Sequence, residues 1–229
     1  MSKSFSHRLI NNIWQVRVTG MLDKVIDKGE GFKKWLQYNG VKADEIAQAA
    51  GNKGTLVHKA CEHLLTNGII RPGAYEGMDD SALKMIMGFK NFVKDAQVRP
   101  FKSEFEVCDG QCSGQADLLL INQPNGKSLS SYILADIKTG SSIYITHYLQ
   151  LMFYLKCVKV MYPESEIIPY IIHLKDSTKK GYQVVEFTED EIKRYSEGYE
   201  LAYKLYVILG HPLEPKPEYT LPKEIKLEE

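Results

Sequence analysis

Before Pro100 the apolar positions fall at helical spacing, and after it they alternate, so a helical lead-in should give way to a sheet. From about residue 18 to 50 the chain reads as short helices punctuated by Gly29, Gly31 and Gly40, with Val25, Phe32, Trp35 and Leu36 as candidates for burial. Residues 54 to 67 form the next helix. Leu83, Ile86, Phe89, Phe92 and Val93 then recur at helical spacing over 81 to 97. In FKSEFEVC the period becomes two, which puts Phe101, Ser103, Phe105 and Val107 on one strand face and Lys102, Glu104 and Glu106 on the other. GQADLLLIN and SYILADIK are the next two strands, and the Asn-Gly of QPNGKSLS between them is a hairpin signal, so the three strands form a meander.

A long helix follows inside 143 to 162 and is ended by Pro163. IIPYIIHL and GYQVVEF are two further strands around the polar turn KDSTKKG. The last helix starts at Thr188, with Glu191 completing a capping box, and runs through Leu209 until Gly210 and Pro212 stop it. The expected architecture is α/β: a central mixed sheet of about five strands flanked by helices, with a helical N-terminal region. Residues 1–212 make one domain, divided into a mostly helical lead-in over 1–100, a sheet and helix over 101–187 and a C-terminal helix over 188–209. Residues 213–229, rich in proline and charge, form a tail.

Composition narrows the class. Of 229 residues, 44% are hydrophobic and 25% charged, values of a folded globular chain. No apolar run reaches the roughly 18 residues of a membrane span and none at the N-terminus resembles a signal peptide, so the expectation is a cytoplasmic protein without membrane contact. The four cysteines are too few for a disulfide framework. Cys108 and Cys112, the close pair, have no second close pair with which to build a four-ligand zinc site. Lysine plus arginine equals aspartate plus glutamate, 29 each. That balance excludes a generic basic nucleic-acid coat, but it allows an enzyme with an acidic metal site beside a local basic patch.

The candidate chemistry centres on ILADIKTG, residues 133 to 140. Asp136 and Lys138 project from one strand face while Ile133, Ala135 and Ile137 pack the other way. A surface ion pair is one reading of those two residues. Asp117 lies one strand earlier, and antiparallel pairing can bring it beside Asp136. Two close carboxylates repel unless a cation neutralises them, and oxygen ligation suits magnesium or manganese. Directly downstream, His147, Gln150 and Tyr154 share a helix face, as an ordinary polar stripe also would. Upstream, GTLVHKACE places His58 and Glu62 four residues apart on one helical face. With the preceding ADEIAQAAGNK, the same stretch resembles the turn and second helix of a helix-turn-helix DNA reader.

Four patterns occur in order: Gly54, His58 and Glu62; Gly114 and Asp117; Asp136 and Lys138; Gln150 and Tyr154. Together they resemble the PD-(D/E)XK nuclease superfamily, specifically its RecB-like exonuclease branch. They span residues 54 to 154, nearly half the chain. The N-terminal VTGMLDKVIDKGEGFKKWLQYNG is also similar to the lead-in of phage-encoded and mitochondrial-type single-domain members. The resemblance implies a restriction-endonuclease-like core and a metal-dependent DNA exonuclease acting in replication, recombination or repair.

It also implies roles. His58, Asp117, Asp136 and the backbone carbonyl of Ile137 would bind one or two Mg2+ or Mn2+ ions. Lys138 would orient or deprotonate the attacking water, and Glu62 would support it or help a second ion. Gln150 and Tyr154 would contact the nucleic-acid strand or support Lys138, and His147 and Thr139 would also contact the nucleic acid. The iron–sulfur cluster of some relatives needs cysteines near the C-terminus, and none follows Cys157 here, so no cluster is expected. The expected partner is single- or double-stranded DNA ends, with homo-oligomerisation open. Lys90, Lys94, Arg99 and Lys102 before the first strand, and Lys156, Lys159, Lys175, Lys179 and Lys180 after the site, are candidates to grip phosphates or simply solvated faces. Trp14, Trp35 and Tyr38 could stack bases or pack in the core. The alternatives are the helix-turn-helix regulator and a non-catalytic DNA-binding subunit of a larger complex.

Overall fold

A computed structural model describes residues 6–70, 78–122 and 131–215. The Asn-Gly hairpin turn and the tail beyond residue 215 lie outside the described residues. The chain forms strands β1 (His7–Ile10) and β2 (Ile13–Arg17), then helices α1 (Val18–Val25), α2 (Gly29–Asn39), α3 (Ala43–Asn67) and α4 (Asp80–Ala96). Strands β3 (Val98–Cys108), β4 (Cys112–Asn122) and β5 (Ser131–Lys138) follow, then helix α5 (Ile145–Met161), strands β6 (Glu166–Leu174) and β7 (Tyr182–Val185), and helix α6 (Glu189–Ile208).

The seven strands make one mixed sheet, two strands more than the sequence led us to expect. The surplus is the β1–β2 hairpin, which turns on Asn11 and Asn12, both with positive φ, and pairs in register from His7↔Val16 to Ile10↔Ile13. The N-terminal region is therefore not purely helical. β3, β4 and β5 form the expected antiparallel meander, and β5 and β6 run parallel, as the crossover through α5 requires.

β4 organises the sheet. β3 pairs along one of its edges, while β2 and β5 share the other: β2 meets Cys112 and Ser113, and β5 meets Leu118 to Ile121. Between those two contacts the edge of β4 from Gly114 to Asp117 carries no strand partner among the described residues. The candidate site residues Asp117, Asp136 and Lys138 gather at this gap.

Hydrophobic clusters cover both faces. One, under α1, α5 and α6, includes Met21, Leu119, Leu134, Phe153 and Tyr199. The other, under α3 and α4, includes Val57, Phe89, Leu118, Ile133, Ala135 and Ile137. Ile133, Ala135 and Ile137 thus pack opposite Asp136, as strand alternation requires. α6 begins with the Thr188–Glu191 capping box, both halves formed. Among the described residues, no helix is long and apolar enough to cross a membrane.

Two further expectations are corrected. α3 is one helix of 25 residues that runs straight through Gly51 and Gly54, so the turn of a helix-turn-helix does not exist there. In α2, Leu36 is exposed, and Phe32 and Trp35 stack on each other, half-buried, at 5.8 Å between centroids. The helix carries no buried residue. Its apolar positions were right for a helix but not for a core.

Candidate active site

Strand β5 ends at the gap with Asp136 and Lys138. Asp136 is 1% exposed. Lys138 Nζ lies 2.6 Å from Asp136 Oδ2, a close buried ion pair, and no other group donates to this carboxylate. Lys138 also donates to Gln150 Oε1 at 3.3 Å, and Gln150 Nε2 donates to Tyr154 Oη at 2.7 Å. Helical spacing on α5 delivers both residues to one face, where Gln150 lies over the end of β5. Tyr154 leans on the backbone of β4: a Cβ at Gly114 would meet its ring at 2.5 Å, so only glycine fits.

Asp117, at the open edge of β4, accepts the Ile137 N–H on Oδ2 at 2.7 Å. A side chain thereby takes a place that a backbone carbonyl would fill in a continued ladder, and the two strands part there. His58 Nδ1 lies 3.5 Å from the same Asp117 oxygen. α3 carries His58 to this point because Gly54, one turn earlier, lets the helix approach the loop after β5; a Cβ there would sit 3.0 Å from Thr139 Oγ1. Thr139 therefore contacts α3. Glu62, a turn further along, accepts a hydrogen bond from Ser103 Oγ at 2.9 Å.

Glu104 is the residue that sequence reading missed. Ligand atoms of His58, Glu104 and Asp117 lie within 4.8 Å of one another. Simple alternation put Ser103 on the face of Phe105 and Lys102 on the opposite one. Instead Ser103 pairs with Leu118 of the α3–α4 cluster, and Phe105 with Ala116 of the α5 cluster. The change of phase occurs at Glu104, whose φ is 46°. It turns two successive side chains of β3, Ser103 and Glu104, toward α3, opposite Asp117 and Leu118. Lys102 lies instead over the Phe105 and Tyr162 rings, 5.9 and 5.4 Å from their centroids. The only signal in the sequence was an acidic residue two positions before a second acid in a strand beside GQAD.

The charges are unevenly matched. Burial pushes the Asp136 carboxyl up to about 6, against the pull of Lys138 and with Asp117 adding to the rise. Burial and the neighbouring Asp117 likewise push Glu104 to about 6. For Asp117 burial acts upward too, but the His58 ring, Lys138 and the Ile137 N–H outweigh it and hold the carboxyl below its ordinary range. Burial opposes protonation of His58, yet Asp117 raises it on balance.

His147 accepts the Tyr144 N–H on Nδ1 at 3.2 Å, so the hydrogen of a neutral ring belongs on Nε2. Burial, then Lys138 and His173, lower its pKa to about 4, which keeps it neutral at pH 7. His173, opposite Lys138 in the β5–β6 register, bonds to the Gly140 carbonyl at 2.6 Å and steadies the loop after Lys138. Of the basic candidates, Lys156 is bound by Asp109 and Glu200, and Lys180 by Asp95.

These residues fit a divalent cation. Two acids and an imidazole converge within ligand reach beside the buried Asp136–Lys138 pair, and the surplus of carboxylates over cationic partners is what a positive ion offsets. No protein-family model and no curated protein matches this chain. Among solved structures, the crystal structure of SSO0001 is similar at 15% identity with a TM-score of 0.37, over 82% of this chain and 75% of that one. A likeness so slight carries no argument, and the functional reading rests on the side chains.

Proposed function

We propose that the chain is a divalent-metal-dependent deoxyribonuclease with a restriction-endonuclease-like core of the RecB-like PD-(D/E)XK kind, hydrolysing phosphodiester bonds at DNA ends. The observation that carries this reading is the convergence of His58, Glu104 and Asp117 ligand atoms within 4.8 Å of one another, beside the buried Asp136–Lys138 ion pair. A packed core has no use for so many acids in one place, whereas a cation site does. His58, Asp117 and Asp136, with Glu104 in reach and the Ile137 carbonyl added by the family resemblance, would hold Mg2+ or Mn2+, which would supply positive charge against the phosphate and lower the pKa of a bound water.

The chain's own groups do the rest. Lys138 has three N–H donors: one faces Asp136, one reaches Gln150, and the third is left to hold a water or a phosphate oxygen. Gln150 is fixed by Tyr154, so the ammonium is held from two sides. His147 offers a neutral Nε2–H on the same helix face, suited to a phosphate oxygen. The preference for DNA ends comes from the family resemblance.

End-labelled linear DNA and closed circles, single- and double-stranded, incubated with Mg2+, Mn2+ or EDTA, test the proposal alongside Asp136→Ala. Metal-dependent loss of linear DNA alone, abolished by the substitution, is the expected result and gives the polarity. Cleavage of circles makes the protein an endonuclease. No cleavage under any condition overturns the enzymatic reading in favour of a DNA-binding subunit.

A further inference from the structure

Ordinary strand geometry would not deliver Glu104 to the site. Non-glycine residues occupy positive φ at an energetic cost, and such a conformation persists where its surroundings hold it. Here the holder is visible. Gln115, next to Ala116 on β4, donates its amide Nε2 twice to Glu104: to the carboxylate Oε2 at 2.7 Å and to the backbone carbonyl at 3.3 Å. One side chain thus grips both the strained backbone and the acid.

Gln115 is itself oriented. Arg8, on β1, donates from Nη2 to Gln115 Oε1 at 3.2 Å and from Nη1 to Glu106 Oε1 at 2.7 Å. A guanidinium only donates, so the amide must turn its oxygen to Arg8 and its NH2 to Glu104. The opposite flip would set two donors against each other.

We propose that Arg8 and Gln115 are positioning residues for the cation site, acting through Glu104, and that the β1–β2 hairpin is thereby a working part of the active site. The proposal rests on the nuclease reading in one respect, that a cation is what Glu104 meets.

Mn2+ titration of the intact chain by calorimetry tests it, with wild type, Gln115→Met, Glu104→Gln and the double variant, and with thermal midpoints measured without metal. Gln115→Met should weaken Mn2+ binding about 10-fold, the lower end of what supporting residues contribute. In the Glu104→Gln background the same change should cost nothing further, because there is no acid left to aim. Unchanged Mn2+ affinity in Gln115→Met overturns the proposal whatever its thermal midpoint, and so does an equal loss in both backgrounds, which would mark a merely structural role.

Should Gln115→Met not fold, Arg8→Lys keeps the charge and removes the two-pronged donor; the same coupling to Glu104 is expected, and its absence overturns the proposal. Failure of the nuclease reading looks different. A wild type that binds no Mn2+ overturns both readings, whereas coupled Mn2+ binding without DNA cleavage overturns the nuclease reading alone.

Discussion

The site has two unlike halves. On the α5 side one acid faces one base, and the base is passed on in order: Asp136 to Lys138, Lys138 to Gln150, Gln150 to Tyr154. On the α3 side Asp117 and Glu104 crowd a single imidazole, and Glu104 stands in a conformation that costs energy. The α5 half is nearly balanced in charge and built on regular strand and helix periodicity. The α3 half is not balanced, and it depends on an irregular strand. A fold that keeps both side by side gains little stability from the second half, which is what a site built for a ligand looks like.

The comparison can be broken most severely at Lys138. Lys138→Ala should lower cleavage by about 10²–10⁴-fold, the range for loss of a group that manages a proton in the transition state. The fold should survive, because Asp136, already at about 6, can take up a proton when its partner leaves. Single-turnover cleavage together with circular dichroism measures both, and an unaltered rate would remove Lys138 from the mechanism.

Next in size is a pH effect. A carboxyl whose pKa rises on folding binds its proton more tightly in the folded state, so metal-free stability falls as pH rises from about 4 to about 6. For Asp136 the loss is on the order of 2–3 kcal/mol. Cation binding needs the ionised acids and strengthens over the same interval. The gap between thermal midpoints with and without Mn2+ should therefore widen from pH 5 to pH 7; a constant gap would mean that neither Asp136 nor Glu104 meets the ion.

Glu104→Gly sharpens the contrast from the other side. Glycine accepts positive φ freely, so metal-free Glu104→Gly should be about 1 kcal/mol more stable than Glu104→Ala, which loses the same Gln115 contact but keeps the strain, while Mn2+ binding weakens in both. Urea unfolding with and without Mn2+ reads both, and equal metal-free stability of the two variants would show that Glu104 is not strained. The smallest effect belongs to Tyr154→Phe, which removes the hydroxyl that Gln150 reaches and leaves the ring on Gly114. About 1 kcal/mol of stability and a modest change in cleavage are expected, the net worth of one hydrogen bond. A loss as large as that of Lys138→Ala would give the phenol a direct role instead.

Legibility in the sequence follows the same division. Periodicity and composition sufficed to place β5 over Ser131–Lys138 and α5 within 143–162, and the face shared by Asp136 and Lys138 follows from a strand's period of two. Where a local rule was broken, sequence reading failed. Gly51 and Gly54 look like breakers, yet α3 continues through them, and at Gly54 the missing side chain serves close packing against Thr139. Arg8 and Gln15, polar in a short N-terminal stretch, gave no sign of a strand that becomes part of the sheet only through β4.

The sequence by itself determined an α/β chain, the meander and the face shared by Asp136 and Lys138, because these depend on near-neighbour spacing; that His58 joins the acids was an expectation from the family resemblance. Only the tertiary structure decided that Glu104 stands beside His58 and Asp117, that Asp136 is buried against Lys138, and that the N-terminal hairpin reaches Glu104 through Arg8 and Gln115. Those outcomes depend on one backbone angle and on pairings between residues far apart in the chain, which no local periodicity encodes.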